Sequence, residues 1–190
     1  PRQKVTFLME VEAGSGKVLA GPRGRLSELL KRPEASRSGV YVLMGPDPDR
    51  VDGQLAYIGE ADDIAARLRI HLRSEAKDFF DRIGFVVSSD EALTKGHIRY
   101  LESRLIRLVE QAGSVPLTND THPDFQRLPE ADRADMETFL QQVQLVLPLL
   151  GFDLFRPRAR PQQEATSAAG DHPVFSFATA GAKATAKETD

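Results

Sequence analysis

Two runs of β-branched and aromatic residues, joined by a turn-rich segment, constrain the fold of this chain more than any other feature. The first run, SGVYVLMGP, ends at Pro46, and the second run, QLAYIG, ends at Gly59. The segment between them, DPDRVDG, is rich in aspartate, proline and glycine, which favour turns. The pattern therefore predicts two antiparallel strands joined as a hairpin with a long loop. A third run, IGFVVSS, predicts a further core strand.

Three helices are predicted after the hairpin, at 64–73, 95–113 and 129–150. Asp62 or Asp63 is the expected N-cap of the first helix, and Thr94 that of the second. Glycine commonly ends a helix, so Gly113 is expected to end the second one. The third helix has the apolar pattern MxxFLxxVxLVLPLL, and Pro148 is expected to bend or end it.

Both ends of the chain differ in character from this middle part. KVTFLMEVE predicts an N-terminal strand, and RLSELLKR a short helix that ends at Pro33. The stretch 156–172 combines proline, alanine and polar residues with little to bury, which is typical of a linker. Aromatic alternation returns at 173–190, where we expect a second domain to begin and to be cut short.

Composition limits the chemistry available to the protein. The 190 residues include no cysteine, so disulfides and thiolate metal sites are excluded. Any metal must be held by carboxylate, imidazole, carbonyl or water, which favours a hard ion such as magnesium or manganese. We found no apolar run long enough to cross a membrane and no signal peptide, so we expect a cytoplasmic protein without a membrane partner. The sequence does not indicate an oligomeric state.

The net charge of −3 conceals an uneven distribution of charge along the chain. Residues 64–107 contain nine Lys and Arg against six Asp and Glu, whereas 108–153 contain two against eight. A locally basic surface is what contacts with phosphate groups require. Charge alone is equally consistent with two solvated helix faces.

The helix predicted at 64–73 places Arg67 and His71 one turn apart on the same side. Its core stripe is expected to consist of Ile64, Leu68 and Leu72. Arg67 and His71 could converge on one anion, a guanidinium fork and an imidazole donor together. The alternative is structural: an arginine paired with Asp63, and a histidine at the boundary of the core.

Glu102 falls on the apolar side of the second helix. Four apolar residues lie within about 60° of it on the helical projection: Ile98, Leu105, Ile106 and Val109. An ionised carboxylate in such a place needs a metal, a cation or several hydrogen-bond donors. The structural alternative is a salt bridge, with Arg99 or with an arginine of another element.

Tyr41 and Tyr57 occupy the two paired strands directly before these helices. Most tyrosines in strands are core residues with one hydrated end. The two tyrosines become informative only in combination with the other motifs of the chain. In order, GVY at 39–41, YIG at 57–59, RLRIH at 67–71, HIRYLES around Glu102 and LTND around Asn119 resemble the GIY-YIG nuclease superfamily, with GVY in place of GIY.

This resemblance covers residues 39 to about 120 and implies an α+β fold, a small three-stranded antiparallel sheet flanked by helices. An extra N-terminal strand and helix would occupy 1–38, and a helix packed on the domain would occupy 121–155. The resemblance implies a site that hydrolyses phosphodiesters with one bound Mg²⁺ or Mn²⁺ ion. It assigns that site to the following residues: Tyr41, Tyr57, Arg67, His71, Glu102 and Asn119.

The residues of this site can divide the work of hydrolysis. We expect Glu102 to hold the metal and Arg67 to place a positive charge at the phosphate. Tyr41 is the expected general base, oriented by Tyr57 and His71, although an ordinary tyrosine pKa near 10 would then require nearby positive charge or a relay through His71. Asn119 is expected to position the loop or metal-bound waters.

The leading hypothesis is therefore a metal-dependent DNA endonuclease. Four exposed basic residues are the expected contacts to the DNA backbone: Arg69, Arg73, Lys95 and Arg99. One alternative is a nucleic-acid-binding module that keeps the fold without catalysis. Another is a scaffold protein, which the acidic helix at 130–153 suggests.

Overall fold

Six segments of the chain are described by the computed structural model: 9–13, 15–73, 78–120, 128–156, 174–179 and 182–187. The chain divides into two compact units, Pro1–Arg158 and Ala159–Asp190. The described part of the second unit is a hairpin in which β6 (Val174–Thr179) pairs with β7 (Ala182–Lys187). Most of the predicted linker at 156–172 lies outside the described residues.

The described residues of the first unit form an α+β fold, as predicted. Its elements, in chain order, are β1 (Met9–Ala13), β2 (Gly16–Pro22), α1 (Leu26–Leu29), β3 (Gly39–Pro46), β4 (Gln54–Ala61), α2 (Ile64–His71), β5 (Arg82–Ser88), α3 (Lys95–Ala112) and α4 (Glu130–Leu149). The five strands form one antiparallel sheet in the order β1-β2-β5-β3-β4. Strand β4 therefore lies at one edge of the sheet.

The sheet has two more strands than the three expected in the central domain. The N-terminal hairpin of β1 and β2 extends it, with β2 pairing along its whole length with β5. Strand β2, GKVLAGP, was not predicted, because its glycines, alanine and proline carry little strand propensity. Long-range pairing with β5 compensates for that weak local preference. Residues 4–8 of the predicted first strand lie outside the described residues.

Alternation along β3 divides the core into two layers. Val40, Val42 and Met44 point to a layer that includes the buried sides of α3 and α4. Tyr41 and Leu43 point to the opposite layer, which includes the buried residues of α1 and α2. The period of two along a strand produces this division.

Local capping signals define most helix ends as predicted. The Asp63 side chain accepts a hydrogen bond from the N–H of Ala66 at 2.8 Å. Thr94 forms a capping box with His97, and Gly113 ends α3 with a φ of 60°. Helix α4 ends one residue after Pro148.

Two helices are shorter than expected, and the expectation that Leu72 is buried is wrong. Helix α2 ends at His71, so Leu72 leaves the predicted core stripe and its side chain is 41% exposed. The predicted helix before Pro33 is reduced to the single turn of α1, preceded and followed by short 3-10 turns. None of the helices in the described segments combines the length and apolar character needed to cross a bilayer.

Candidate active site at the sheet edge

Tyr41 lies across the strand pair from Gly59, and its phenol occupies the space above that glycine. The two residues are direct partners in the register of β3 and β4. A Cβ atom added at Gly59 would lie 2.5 Å from Cζ of Tyr41, far inside van der Waals contact. Tyr41 is completely buried. Its side chain therefore requires a glycine at position 59, the last residue of the YIG triplet.

Helix α2 brings His71 to the same phenol. Tyr41 Oη and His71 Nε2 lie 2.6 Å apart, and His71 is buried. Tyr57 completes the group, with its ring centroid 6.1 Å from that of Tyr41 and 5.5 Å from that of His71. Of the three, Tyr57 is the one that remains partly exposed. The sequence-predicted pair of tyrosines thus meets the predicted histidine.

Arg67, one turn before His71, faces the same cluster. It forms side-chain hydrogen bonds with Tyr41 and Tyr57, and the bond to Tyr41 raises the pKa of the guanidinium. Burial, followed by the neighbouring Tyr57, raises the pKa of Tyr41, and Arg67 opposes this only in part. A fully buried phenol that holds its proton this firmly is poorly suited to meet a water molecule directly.

Glu102 approaches the opposite face of the same edge strand from α3. It is partly buried beside the apolar stripe, as the helical projection predicts. Burial, then the nearby carboxylate of Glu60, raises the pKa of Glu102 to about 7. The main-chain N–H of Glu60 donates to it, and Lys95 and Arg67 also lower its pKa. Arg67 thus acts electrostatically on residues at both faces of the strand.

Glu60 is a residue of this cluster that the sequence analysis missed. Its carboxylate binds Lys95 Nζ at 2.7 Å and lies 3.8 Å from Arg99 Nε, and its side chain is 16% exposed. Lys95 also pairs with Asp62 at 3.0 Å. A signal was available: Glu60 follows Gly59 directly, and strand alternation places it on the same face as Ile58, toward α3.

Asn119 holds the outer edge of β4. Its Nδ2 donates to the carbonyl of Ile58 at 2.7 Å, and its Oδ1 accepts from the N–H of Ile58 at 3.1 Å. The preceding residues continue the same pairing, because Pro116 and Thr118 hydrogen-bond to the main chain of Ala56. Asn119 therefore lies beside the predicted site, with both amide atoms engaged by the strand.

The four predicted DNA contacts fall into two groups. Arg69 and Arg73 are exposed at α2 and at the turn that follows it. Lys95 and Arg99 are also exposed, but they face Glu60 in the ion pairs given above. The two arginines at α2 therefore present positive charge that Glu60 does not engage, and Arg69, two residues after Arg67, lies on a different side of the helix from it.

Seven residues at this strand edge, hereafter the edge site, come together: Tyr41, Tyr57, Glu60, Arg67, His71, Glu102 and Asn119. Within the described residues, no group of three or more acidic, histidine or cysteine side chains could by itself enclose a metal ion. A partly buried carboxylate with a raised pKa and a second carboxylate nearby is nonetheless the donor chemistry that a divalent cation stabilises, with water completing its shell.

A cavity of about 680 Å³ lies elsewhere, between the β3–β4 connection and the end of α4. Arginines and aspartates mix in its lining, including Arg50, Arg82 and Asp153, and no residue of the edge site lines it. The edge site is the stronger candidate for a functional site, because the tyrosine and the carboxylate whose pKa values are raised lie there.

No family model, no curated protein and no solved structure matches this chain. The interpretation of the edge site therefore rests on the sequence and the geometry of the chain.

Proposed function

We propose that this protein is a divalent-metal-dependent endonuclease that hydrolyses phosphodiester bonds of DNA through a GIY-YIG-type site. The observation that carries the proposal is the meeting of Tyr41, His71 and Arg67 with Glu102 at one strand edge. In this interpretation β3, β4 and β5 correspond to the three-stranded sheet of that superfamily, within residues 39–120. The hairpin of β1 and β2 is an addition to it.

Glu102 is the residue that would hold the metal, a single Mg²⁺ or Mn²⁺ ion. Such an ion supplies positive charge to the scissile phosphate and to the leaving oxygen. Glu102 is suited to this because its charge is only partly compensated, as its raised pKa indicates. Arg67 remains charged beside the phenols, and it contributes a second positive group to the phosphate.

Proton transfer is assigned to the buried pair of Tyr41 and His71. Arg67 can only donate to the oxygen of Tyr41, and we assign His71 the tautomer whose Nε2 carries no hydrogen, so that the phenolic O–H of Tyr41 donates to Nε2. As Tyr57 takes a proton from the attacking water, its own phenolic proton passes to Tyr41 and that of Tyr41 passes to Nε2 of His71, the final proton acceptor. Tyr57, the more exposed phenol, is the group that meets the attacking water. This assignment of roles to the two tyrosines and His71 differs from the expectation that Tyr41 is the base in direct contact with water.

The proposal is tested with purified protein, supercoiled plasmid and Mg²⁺. We expect nicked or linear DNA from the wild type, and a rate lowered by about 100-fold or more in Glu102→Gln. Glutamine is chosen because its amide oxygen can still accept the hydrogen bond from the N–H of Glu60. Glu110→Gln, an exposed carboxylate on the same helix, is the matched control and is expected to retain activity.

The second candidate is a DNA-binding module without catalysis, and one observation favours it. Glu102 accepts a main-chain hydrogen bond from Glu60, so the sheet edge gives this carboxylate a structural use independent of any metal. Equal nicking by wild type and Glu102→Gln would contradict the catalytic assignment. If neither protein cleaves but both retard DNA in a gel, the binding module is the correct interpretation.

A further inference from the structure

Three charged residues of α3 lie on one side of the helix, facing the edge strand. Lys95, Arg99 and Glu102 are spaced at i, i+4 and i+7, so they fall within about 60° of one another. Residues three apart on a helix are neighbours, and an Arg–Glu pair at that spacing is ordinarily favourable. Arg99 therefore has Glu102 within reach on its own helix.

The structure nevertheless places both cations against a different acid. Nε of Arg99 lies 3.8 Å from Oε1 of Glu60, and Nζ of Lys95 lies 2.7 Å from Oε2 of Glu60. Glu60 has the less exposed side chain, 16% against 43% for Lys95 and 47% for Arg99. The fixed strand residue thus determines where the two longer and more mobile helix side chains lie.

Glu60 also binds Glu102 through its own main chain. The N–H of Glu60 donates to the Glu102 carboxylate, while the Glu60 side chain faces the two cations. Glu60 therefore contacts Glu102 through its main chain. Its side chain binds Lys95 and Arg99, which would otherwise be the nearest basic partners of Glu102.

We propose that Glu60 is a positioning residue that binds Lys95 and Arg99 and thereby leaves the Glu102 carboxylate available to a divalent cation. This inference rests on the metal site proposed above for Glu102. Without the carboxylate at position 60, Glu102 becomes the nearest acid for Arg99. The resulting ion pair competes with the metal for the same oxygens.

The test measures Mn²⁺ binding directly, from the electron paramagnetic resonance signal of free Mn²⁺, with no DNA present. Four proteins are compared: wild type, Glu60→Gln, Lys95→Met with Arg99→Met, and all three substitutions together. We expect Glu60→Gln to weaken Mn²⁺ binding about three- to tenfold, since a competing ion pair forms. In the background of Glu60→Gln, removing the cations is expected to restore the affinity.

The decisive quantity is the coupling between the two sets of substitutions. Removing the cations should raise Mn²⁺ affinity by a larger factor when Glu60 is absent than when it is present. Additive effects would mean that Glu60 acts only through its general charge and would overturn the proposal. If the triple variant does not reverse the loss of Mn²⁺ affinity in Glu60→Gln, Glu60 is a direct metal ligand. That result also overturns the proposal.

Failure of the proposed function gives a different result. Glu102→Gln should abolish the Mn²⁺ site seen in the wild type. If the wild type binds no Mn²⁺, or if Glu102→Gln binds it equally well, the metal site itself is wrong and the inference about Glu60 is overturned with it. Thermal unfolding of every variant identifies any that fail to fold, and Glu60→Asp, which keeps the charge, provides a second variant expected to retain most of the affinity.

Discussion

Position 59 carries the strictest steric requirement of the edge site. Tyr41 fills the space where a side chain would stand, and its phenol is held there by His71 and Arg67. The constraint is steric and reciprocal: the glycine makes room for the phenol, and the phenol forbids any larger residue.

Gly59→Ala is therefore expected to displace Tyr41 and to break its 2.6 Å contact with His71. We expect destabilisation of about 1–3 kcal/mol, the usual range for overpacking a buried site, together with loss of nuclease activity. Gly24→Ala is the matched control, because a Cβ there meets nothing within 4 Å. Urea unfolding of both variants provides the measurement, and equal stability of the two would contradict the steric account.

At the scale of elements, the edge strand β4 contributes buried residues to both layers of the core. Its outward N–H groups at Ala56, Ile58 and Glu60 are bound in turn by Pro116, Asn119 and Glu102. Alternate residues of an antiparallel strand direct these groups to the same side, so the three acceptors form a row. A loop and a helix thus cover an edge that would otherwise be open to further strand pairing.

Asn119 is the middle member of this row, and its role can be tested apart from catalysis. Asn119→Ala leaves the N–H of the buried Ile58 without its acceptor, which is expected to cost about 1–3 kcal/mol. Mn²⁺ affinity of the folded protein should stay within about twofold of the wild type. Thermal unfolding measures the stability and the Mn²⁺ titration measures the affinity, and unchanged stability with weakened Mn²⁺ binding would instead indicate that Asn119 serves the metal site.

At the scale of the whole molecule, the sequence predicts well those features that depend on neighbouring residues. Asp63, Thr94 and Gly113 define helix ends through contacts within a few residues, and these predictions are confirmed. Strand β2 and the exposure of Leu72 were missed, because the first depends on pairing with β5 and the second on the point where α2 ends. Non-local contacts are not visible in residue patterns.

The same distinction between local features and non-local contacts applies to the candidate site. The residue types that meet at the strand edge could be anticipated from ordered motifs, but their partners could not. Glu102 was expected to need a metal, a cation or several hydrogen-bond donors, and one donor that acts on it is the main-chain N–H of Glu60. Main-chain donors carry no signature in the sequence, so this contact could not be predicted, although strand alternation could have placed the Glu60 side chain toward α3.

The pH dependence of stability is a whole-molecule property in which two kinds of carboxylate act in opposite directions. The pKa of Glu137 is lowered, chiefly by its hydrogen bond from Arg104, so its contribution is present above the unfolded pKa and is lost in acid. The pKa of Glu102 is raised to about 7, so the folded protein holds a proton that the unfolded chain has released. Between about pH 4.5 and 7, Glu102 therefore makes stability fall as pH rises.

We expect wild-type protein in EDTA to lose about 1–3 kcal/mol of stability between pH 5 and pH 8 relative to Glu102→Gln. The glutamine cannot ionise, so this part of the pH dependence disappears. Chemical denaturation of both proteins across that range provides the comparison. Parallel stability curves would show that Glu102 titrates at an ordinary carboxyl pKa.

The row of acceptors along β4 has a consequence for how this chain can evolve. Because Glu102 closes the last outward amide of the edge strand, substitutions that remove its acceptor oxygen weaken the sheet edge whether or not the protein cuts DNA. Selection for the sheet edge alone would therefore retain an acceptor at position 102, and glutamine, which keeps the acceptor oxygen, is the replacement expected to be most readily tolerated there.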